Sequence, residues 1–177
     1  MTLLELLFIF ILGIIFGSLV TCMSHRLPRN EDVVAKPSYC PACGTTLTIK
    51  DLWPLFSWLF SGGKCRHCSA PVSLRYPLTE LATASLFLLV YLQWGLTLPA
   101  LILCLMSVML MIMIVVDLEH YIIPDSVHVI LIPLALWYHY IAGSAWDEVA
   151  IGAGGMLALG LFLHYGYSAI RGRCMLG

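Results

Sequence analysis

Four cysteines stand as two short pairs, Cys40-Pro41-Ala42-Cys43 and Cys65-Arg66-His67-Cys68, with 21 residues between them. A C-x2-C pair presents two thiolates from one tight turn. Two such pairs supply the four soft ligands of a tetrahedral zinc site, at about 2.3 Å each. Four protein ligands leave no open coordination position, so Cys40, Cys43, Cys65 and Cys68 point to a structural zinc ion. Two disulfides, or thiols buried as small hydrophobes, are the alternatives; a reducing compartment disfavours the first. His67 lies inside a ligand turn that four cysteines already complete, and Cys22, Cys104 and Cys174 fall outside the pattern and read as ordinary residues.

A second chemical cluster is acidic. Asp117-Leu118-Glu119-His120 and Pro124-Asp125 lie between two apolar runs, which puts three carboxylates and a histidine at one membrane edge. Asp125 is also suited to N-cap the next helix, with Pro124 setting the chain direction. Asp117 continues the preceding helix, and a carboxylate at membrane depth is costly enough to mark a functional site. Glu80, just after Arg75-Tyr76-Pro77, is either a first-turn acid favoured by the helix dipole or the partner of a cation, Arg75 or a ligand. His128, His139 and His164 read as interhelical hydrogen-bonders.

The elements that must position these groups are membrane helices. Of 177 residues, 60% are hydrophobic and 11% charged, with a mean hydropathy of +0.93; an ordinary water-soluble domain has about a quarter charged. The formal charge of -1 gives no basic field directed at nucleic acid. Five segments reach the roughly 17 to 20 apolar residues of a span: Leu3 to Val20, Leu78 to Leu98, Pro99 to Val116, Ser126 to Ala142 and Val149 to Ile170. The second and third are separated only by Gln93-Trp94-Gly95 through Pro99, so one kinked element competes with two spans. No basic residue precedes the first apolar run, so a cleaved signal peptide is not expected.

Alternating the five spans puts residues 23–77, 117–125 and the tail from Arg171 on one side, and these segments hold all nine Lys and Arg residues. That side is the cytoplasm by the positive-inside rule, with the N-terminus outside. The expectation is an all-α polytopic membrane protein of about five transmembrane helices with a small zinc-ribbon-like module. Its divisions are 1–22, a first span; 23–77, the four-cysteine module; and 78–177, the remaining helices. Residues 23–77 carry six of the nine prolines and too little apolar area to fold without a staple.

These residues, in this order, resemble the type IV prepilin peptidases. The matching run is Phe16-Gly17-Ser18, His25-Arg26-Leu27-Pro28, Cys40 to Cys43, Asp51-Leu52-Trp53-Pro54-Leu55, Ser57-Trp58-Leu59, Cys65 to Cys68, Arg75-Tyr76-Pro77-Leu78-Thr79-Glu80-Leu81, Asp117 to His120 and Ile123-Pro124-Asp125. The resemblance implies an intramembrane aspartyl protease of the bacterial inner membrane, of Gly-x-Gly-Asp type. Its substrates are type IV prepilins or type II secretion pseudopilins, in contact with membrane lipid. Asp117 takes the place of the first catalytic aspartate, with Glu119 and Asp125 supporting it. Two neighbouring carboxylates share a proton, so that one acts as base while the other polarises the scissile carbonyl.

Gly177 matches the first glycine of the motif that would carry the second aspartate, so these 177 residues alone are expected not to cleave prepilin. The resemblance also implies N-methylation of the new N-terminus from S-adenosylmethionine. Glu80 is the first candidate near the sulfonium or the amine, and Arg75 and Lys64 are candidates for the cofactor carboxylate. A membrane-anchored zinc adaptor without catalysis, and a methyltransferase alone, are the competing functions.

Overall fold

A computed structural model describes residues 2–32, 37–122, 124–143 and 145–171, without the side chains at 160, 163, 164 and 166–171. Cys174, Gly177 and the side chain of His164 therefore lie outside the described residues. The described chain is helical. Helix α1 runs Leu3–Arg26 and passes into a 3-10 turn, Leu27–Arg29; α2 is a short helix at Phe56–Phe60; α3 is Arg75–Trp94, α4 Leu98–His120, α5 Asp125–Ala142 and α6 Trp146–Arg171. The described residues contain no strand, only two isolated bridges in the cysteine module.

Local chemistry sets the helix limits. Thr2 caps α1 by accepting from the Glu5 amide, while the Glu5 carboxylate accepts from the Thr2 amide, a reciprocal capping box. Gly95 (φ 62°) ends α3, and the Thr97 side chain caps α4 by accepting from the Ala100 amide. The segment from Gln93 to Pro99 thus separates two helices instead of kinking one. Tyr121, left-handed at φ 54°, stops α4, with its amide on the Asp117 carbonyl. Asp125 sits in the first turn of α5, where its negative charge is favoured by the positive end of the helix dipole.

Five long helices thus cover the five apolar segments. Two stretches, Leu3–Arg29 and Leu98–His120, are long and apolar enough to cross a membrane by length and composition. The chain divides into two compact units, Met1–Tyr138 and His139–Gly177. In the first, α1, α3 and α4 pack together. Ile9 and Val20 meet Phe87 and Tyr91, with Val108, Ile112, Val115 and Val116 closing the core. In the second, the His139 ring lies edge-on to Trp146, with centroids 4.5 Å apart.

The histidines differ from expectation. His128 Nδ1 is 3.4 Å from the Pro124 carbonyl of its own neighbourhood, and His139 Nε2 is buried with no hydrogen-bond partner. Neither makes the interhelical hydrogen bond expected of it, because a ring stack and a local carbonyl occupy them instead.

The α1–α3 contact is the tightest in the bundle for a reason visible in the sequence. A Cβ on Gly17 would stand 2.5 Å from Glu80 Cα, and one on Gly13 would stand 2.5 Å from Ala84 Cα. Gly13 and Gly17 are four apart on one face, as are Glu80 and Ala84, so two backbones approach along a small-residue seam. Towards the end that carries the cysteine module the buried face turns polar: Thr21, Ser24, Arg26, Thr79, Glu80 and Thr83 are all buried. Several hydroxyls are satisfied locally, Thr83 donating to the Thr79 carbonyl at 2.9 Å and Thr21 to Ser18 at 2.7 Å.

Gly17→Ala should lower stability by about 1–3 kcal/mol through overpacking, despite the better helix propensity of alanine. Gly152→Ala, with open space around the added carbon, should be neutral or slightly stabilising. Thermal unfolding in detergent, followed by tryptophan fluorescence, reads both.

Candidate metal centre and adjoining cavity

The two cysteine turns are built alike. In each, the amide of the first cysteine bonds a carbonyl five residues on, Cys40 to Thr45 and Cys65 to Ala70. The residue after the second cysteine returns its amide to the first cysteine's carbonyl, Gly44 to Cys40 at 2.8 Å and Ser69 to Cys65 at 2.9 Å. Both returning residues have positive φ, 71° at Gly44 and 60° at Ser69. A bridge closes each turn outside, Tyr39 with Thr46 and Lys64 with Pro71. This doubled knuckle follows from the doubled C-x2-C sequence.

The knuckles face each other, with the four sulfurs within 4.8 Å of one another and Cys40 Sγ 4.0 Å from Cys68 Sγ. No disulfide joins them; a bonded pair would be about 2.05 Å apart. A tetrahedron of sulfurs around an ion at about 2.3 Å has edges of about 3.8 Å, so the set fits a metal with a small contraction. Hydrogen bonds from Thr45 hold the Cys43 thiol down to about 6, which favours the ligating thiolate. His67 turns away to Asp51, 3.6 Å from its carboxylate. Asp51 also accepts from the Thr48 hydroxyl at 2.7 Å and amide at 3.0 Å, and these bonds lower its pKa.

One hydrogen bond fastens the module to the bundle through Glu80. The Leu55 amide donates to Glu80 Oε2 at 2.7 Å, and Ser18 of α1 lines the same cavity as Glu80. Leu55 has φ 59° and ψ −52°, and the Phe56 amide reaches the Pro54 carbonyl at 2.6 Å. This is the γ-turn with positive φ, rare and strained for a residue with a side chain. Trp58 locks the other side, donating from Nε1 to the Val72 carbonyl at 3.0 Å and packing its ring on Gly63.

Between module and bundle lies a cavity of 450 Å³, within the size range of small-molecule sites, about 300 to 1,000 Å³. Glu80, Arg75, Lys64 and Glu119 all line it, with His25 and Arg26 from α1. Arg75 pairs with Glu119 through Nη1 and stacks 5.1 Å over the Tyr76 ring. Glu80, read from the sequence as a first-turn acid or as the partner of a cation, Arg75 or a ligand, lies beyond the first turn of α3 and accepts from the Leu55 amide, while Arg75 reaches across to Glu119 on α4. Arg75 Nε is buried with no hydrogen-bond partner.

Asp117 and Asp125 are exposed and do not line this cavity. Sequence reasoning missed Cys22, which forms part of the wall, and Ser18. Ser18 carried one signal, its place beside Gly17. The Leu55 amide carried none, since a backbone donor has no residue type.

A family model described as the bacterial peptidase A24 N-terminal domain matches residues 11–94. A prepilin leader peptidase/N-methyltransferase of Pectobacterium carotovorum is 30% identical over 194 residues, covering 94% of this chain and 68% of the relative. The chain belongs to the type IV prepilin peptidase family. Proteins of the same name from Myxococcus xanthus and Bacillus subtilis are 39% identical over 125 residues and 33% identical over 147. These matches take in 69% and 77% of this chain but 36% and 59% of those relatives. No solved structure matches the chain. Within this prepilin peptidase family member, the model's match ends with α3, so it takes in both knuckles, the γ-turn and Glu80.

Glu80→Ala leaves the Leu55 amide without its acceptor. A hydrogen bond to a charged group contributes about 1.5–3 kcal/mol, so amide exchange at Leu55 should quicken at least about tenfold. Glu80→Gln keeps an acceptor oxygen and should change it by less. Hydrogen exchange resolved to the peptide covering 52–60 measures the difference.

Proposed function

We propose that this chain carries the part of a prepilin-processing enzyme in which the methyl-transfer site adjoins a structural zinc module, together with the first aspartate of the leader peptidase. The observation that carries the reading is the cavity in which Arg75, Lys64 and Glu80 meet beside the cysteine knuckles, in a chain whose relatives are named for both activities. The helices are the five spans of an inner-membrane protein, with the N-terminus outside and the module in the cytoplasm. A prepilin or pseudopilin then meets the enzyme with its basic leader on the cytoplasmic side.

The residues present fit S-adenosylmethionine. The buried Arg75 Nε without a partner is a donor awaiting an acceptor, and a buried donor left unpaired is costly. A cofactor carboxylate satisfies it, with the Lys64 ammonium adding charge at the rim. When bound, the cofactor supplies a methyl group on a sulfonium. Glu80, with one oxygen fixed by Leu55, holds its negative charge still beside that cation or the substrate amine. The cavity walls contribute by positioning, where much of the acceleration of a bimolecular transfer arises. An adaptor without catalysis has no use for a charged cavity of this kind.

Leader cleavage is assigned to Asp117, which shares the end of α4 with Glu119; Asp125 opens the next helix. Exposure at a membrane edge lets Asp117 reach a scissile peptide drawn out of its helix.

Intact-mass spectrometry tests both chemistries in one sample. Mature pilin incubated with this chain in detergent and S-adenosylmethionine should gain one methyl group, and any leader loss from prepilin should be abolished by Asp117→Ala. Leader loss that survives Asp117→Ala would contradict the cleavage assignment, and no methylation by folded protein would contradict the transfer site. Arg75→Lys keeps the charge but removes the Nε donor, and should weaken cofactor binding about tenfold, or ~1.4 kcal/mol, by calorimetry.

The zinc assignment has its own readout. Elemental analysis should find about one zinc per chain, lost in Cys65→Ser. A strong chelator should open residues 38–73 to proteolysis while leaving the helices intact.

A further inference from the structure

Between Asp51 and Lys64 the module contains twelve residues without a charge, Leu52 to Gly63. Five large apolar side chains in this run are exposed: Leu52 41%, Trp53 65%, Phe56 50%, Leu59 67% and Phe60 74%. Their spacing of three and four puts them on one side of α2 and its approach. Trp53 and Phe56 lie with ring centroids 6.0 Å apart, and Phe56 and Phe60 6.3 Å apart. The fourth aromatic, Trp58, turns inward to Val72. A single exposed apolar side chain is ordinary, whereas a contiguous aromatic patch needs a cover.

The Leu55–Glu80 hydrogen bond fixes where this patch sits. Glu80 is in the second turn of α3, and the exposed Leu78 and Leu81 of α3 bracket it, with exposed Leu74 just before the helix. At 1.5 Å per residue, Leu78 and Leu81 lie within about 3 Å of Glu80 along the axis. The patch therefore stands at the level where the outer face of α3 begins to present apolar side chains. Exposed Lys50 and Lys64 flank the uncharged run at both ends. Tryptophan and phenylalanine at headgroup level with lysines beside them are the composition of an interfacial segment on anionic lipid.

We propose that α2 is an interfacial foot: Trp53, Phe56 and Phe60 enter the headgroup region of the cytoplasmic leaflet, and Lys50 contacts anionic lipid phosphates. The foot holds the cysteine module down on the membrane and so fixes the cavity at the depth where a substrate N-terminus emerges. It rests on the reading that α1 and α3 cross a bilayer with the module at its cytoplasmic face. Through Leu55 the foot is rigidly joined to Glu80, so lipid contact steadies the γ-turn that closes the cavity.

The test is photocrosslinking of the full chain in vesicles of phosphatidylethanolamine and phosphatidylglycerol. p-Benzoylphenylalanine replaces Phe60, Trp53 or, as a reference on the outer face of α1, Ile11. Mass spectrometry should find phospholipid adducts at all three positions. Adducts at position 11 with none at 53 and 60 would overturn the foot alone. Crosslinks from 53 and 60 to a second copy, or to added prepilin, in place of lipid would overturn it in favour of a protein occupant. The absence of lipid adducts at position 11 would overturn the membrane reading on which the foot rests.

Discussion

The close approach of α1 to α3 at Gly17 sets the rest of the structure. Because no side chain stands between the backbones there, Glu80 is brought against α1, and its carboxylate reaches the Leu55 amide. A carboxylate buried near the end of a helix bundle is costly unless hydrogen-bonded. Here that requirement is met by a loop amide presented from a strained turn. One side chain thus ties the small four-cysteine module to an apolar bundle. Larger residues at Gly13 or Gly17 would part the helices and loosen the tie.

The cavity is a consequence of that tie. It opens where the bundle's buried face changes from Ile9 and Val20 to Thr21, Ser24 and Arg26, and where the knuckles roof it over. Its charges are arranged unevenly: Arg75 is neutralised through Nη1 by Glu119 yet keeps an unanswered Nε, while Glu80 is held by an amide. Fixed groups of this kind act on a bound ion without reorganising. The acidic positions 117 and 125 are exposed and stand apart from this arrangement.

Much of this was legible in the sequence. The two C-x2-C pairs and the five apolar runs carry strong local signals, and the knuckles and long helices follow from them. Arg75, Lys64 and Glu80 were singled out before their meeting in one cavity was visible. The pairings were not legible. Arg75 finds Glu119, 44 residues away, and Glu80 finds a backbone amide 25 residues away; both depend on the helix crossing. Among the described residues, His128 meets the Pro124 carbonyl and His139 the edge of the Trp146 ring, contacts that depend on the fold and not on residue type.

Photolabelling of the purified chain with S-adenosylmethionine radiolabelled in its methyl group tests the central claim most directly, because ultraviolet light attaches the bound cofactor to the residues around it. The account predicts label in peptides from 18–26 and 64–80, the walls of the cavity, and its loss under excess unlabelled cofactor. Competable label confined to other peptides, or none at saturating cofactor, would contradict it.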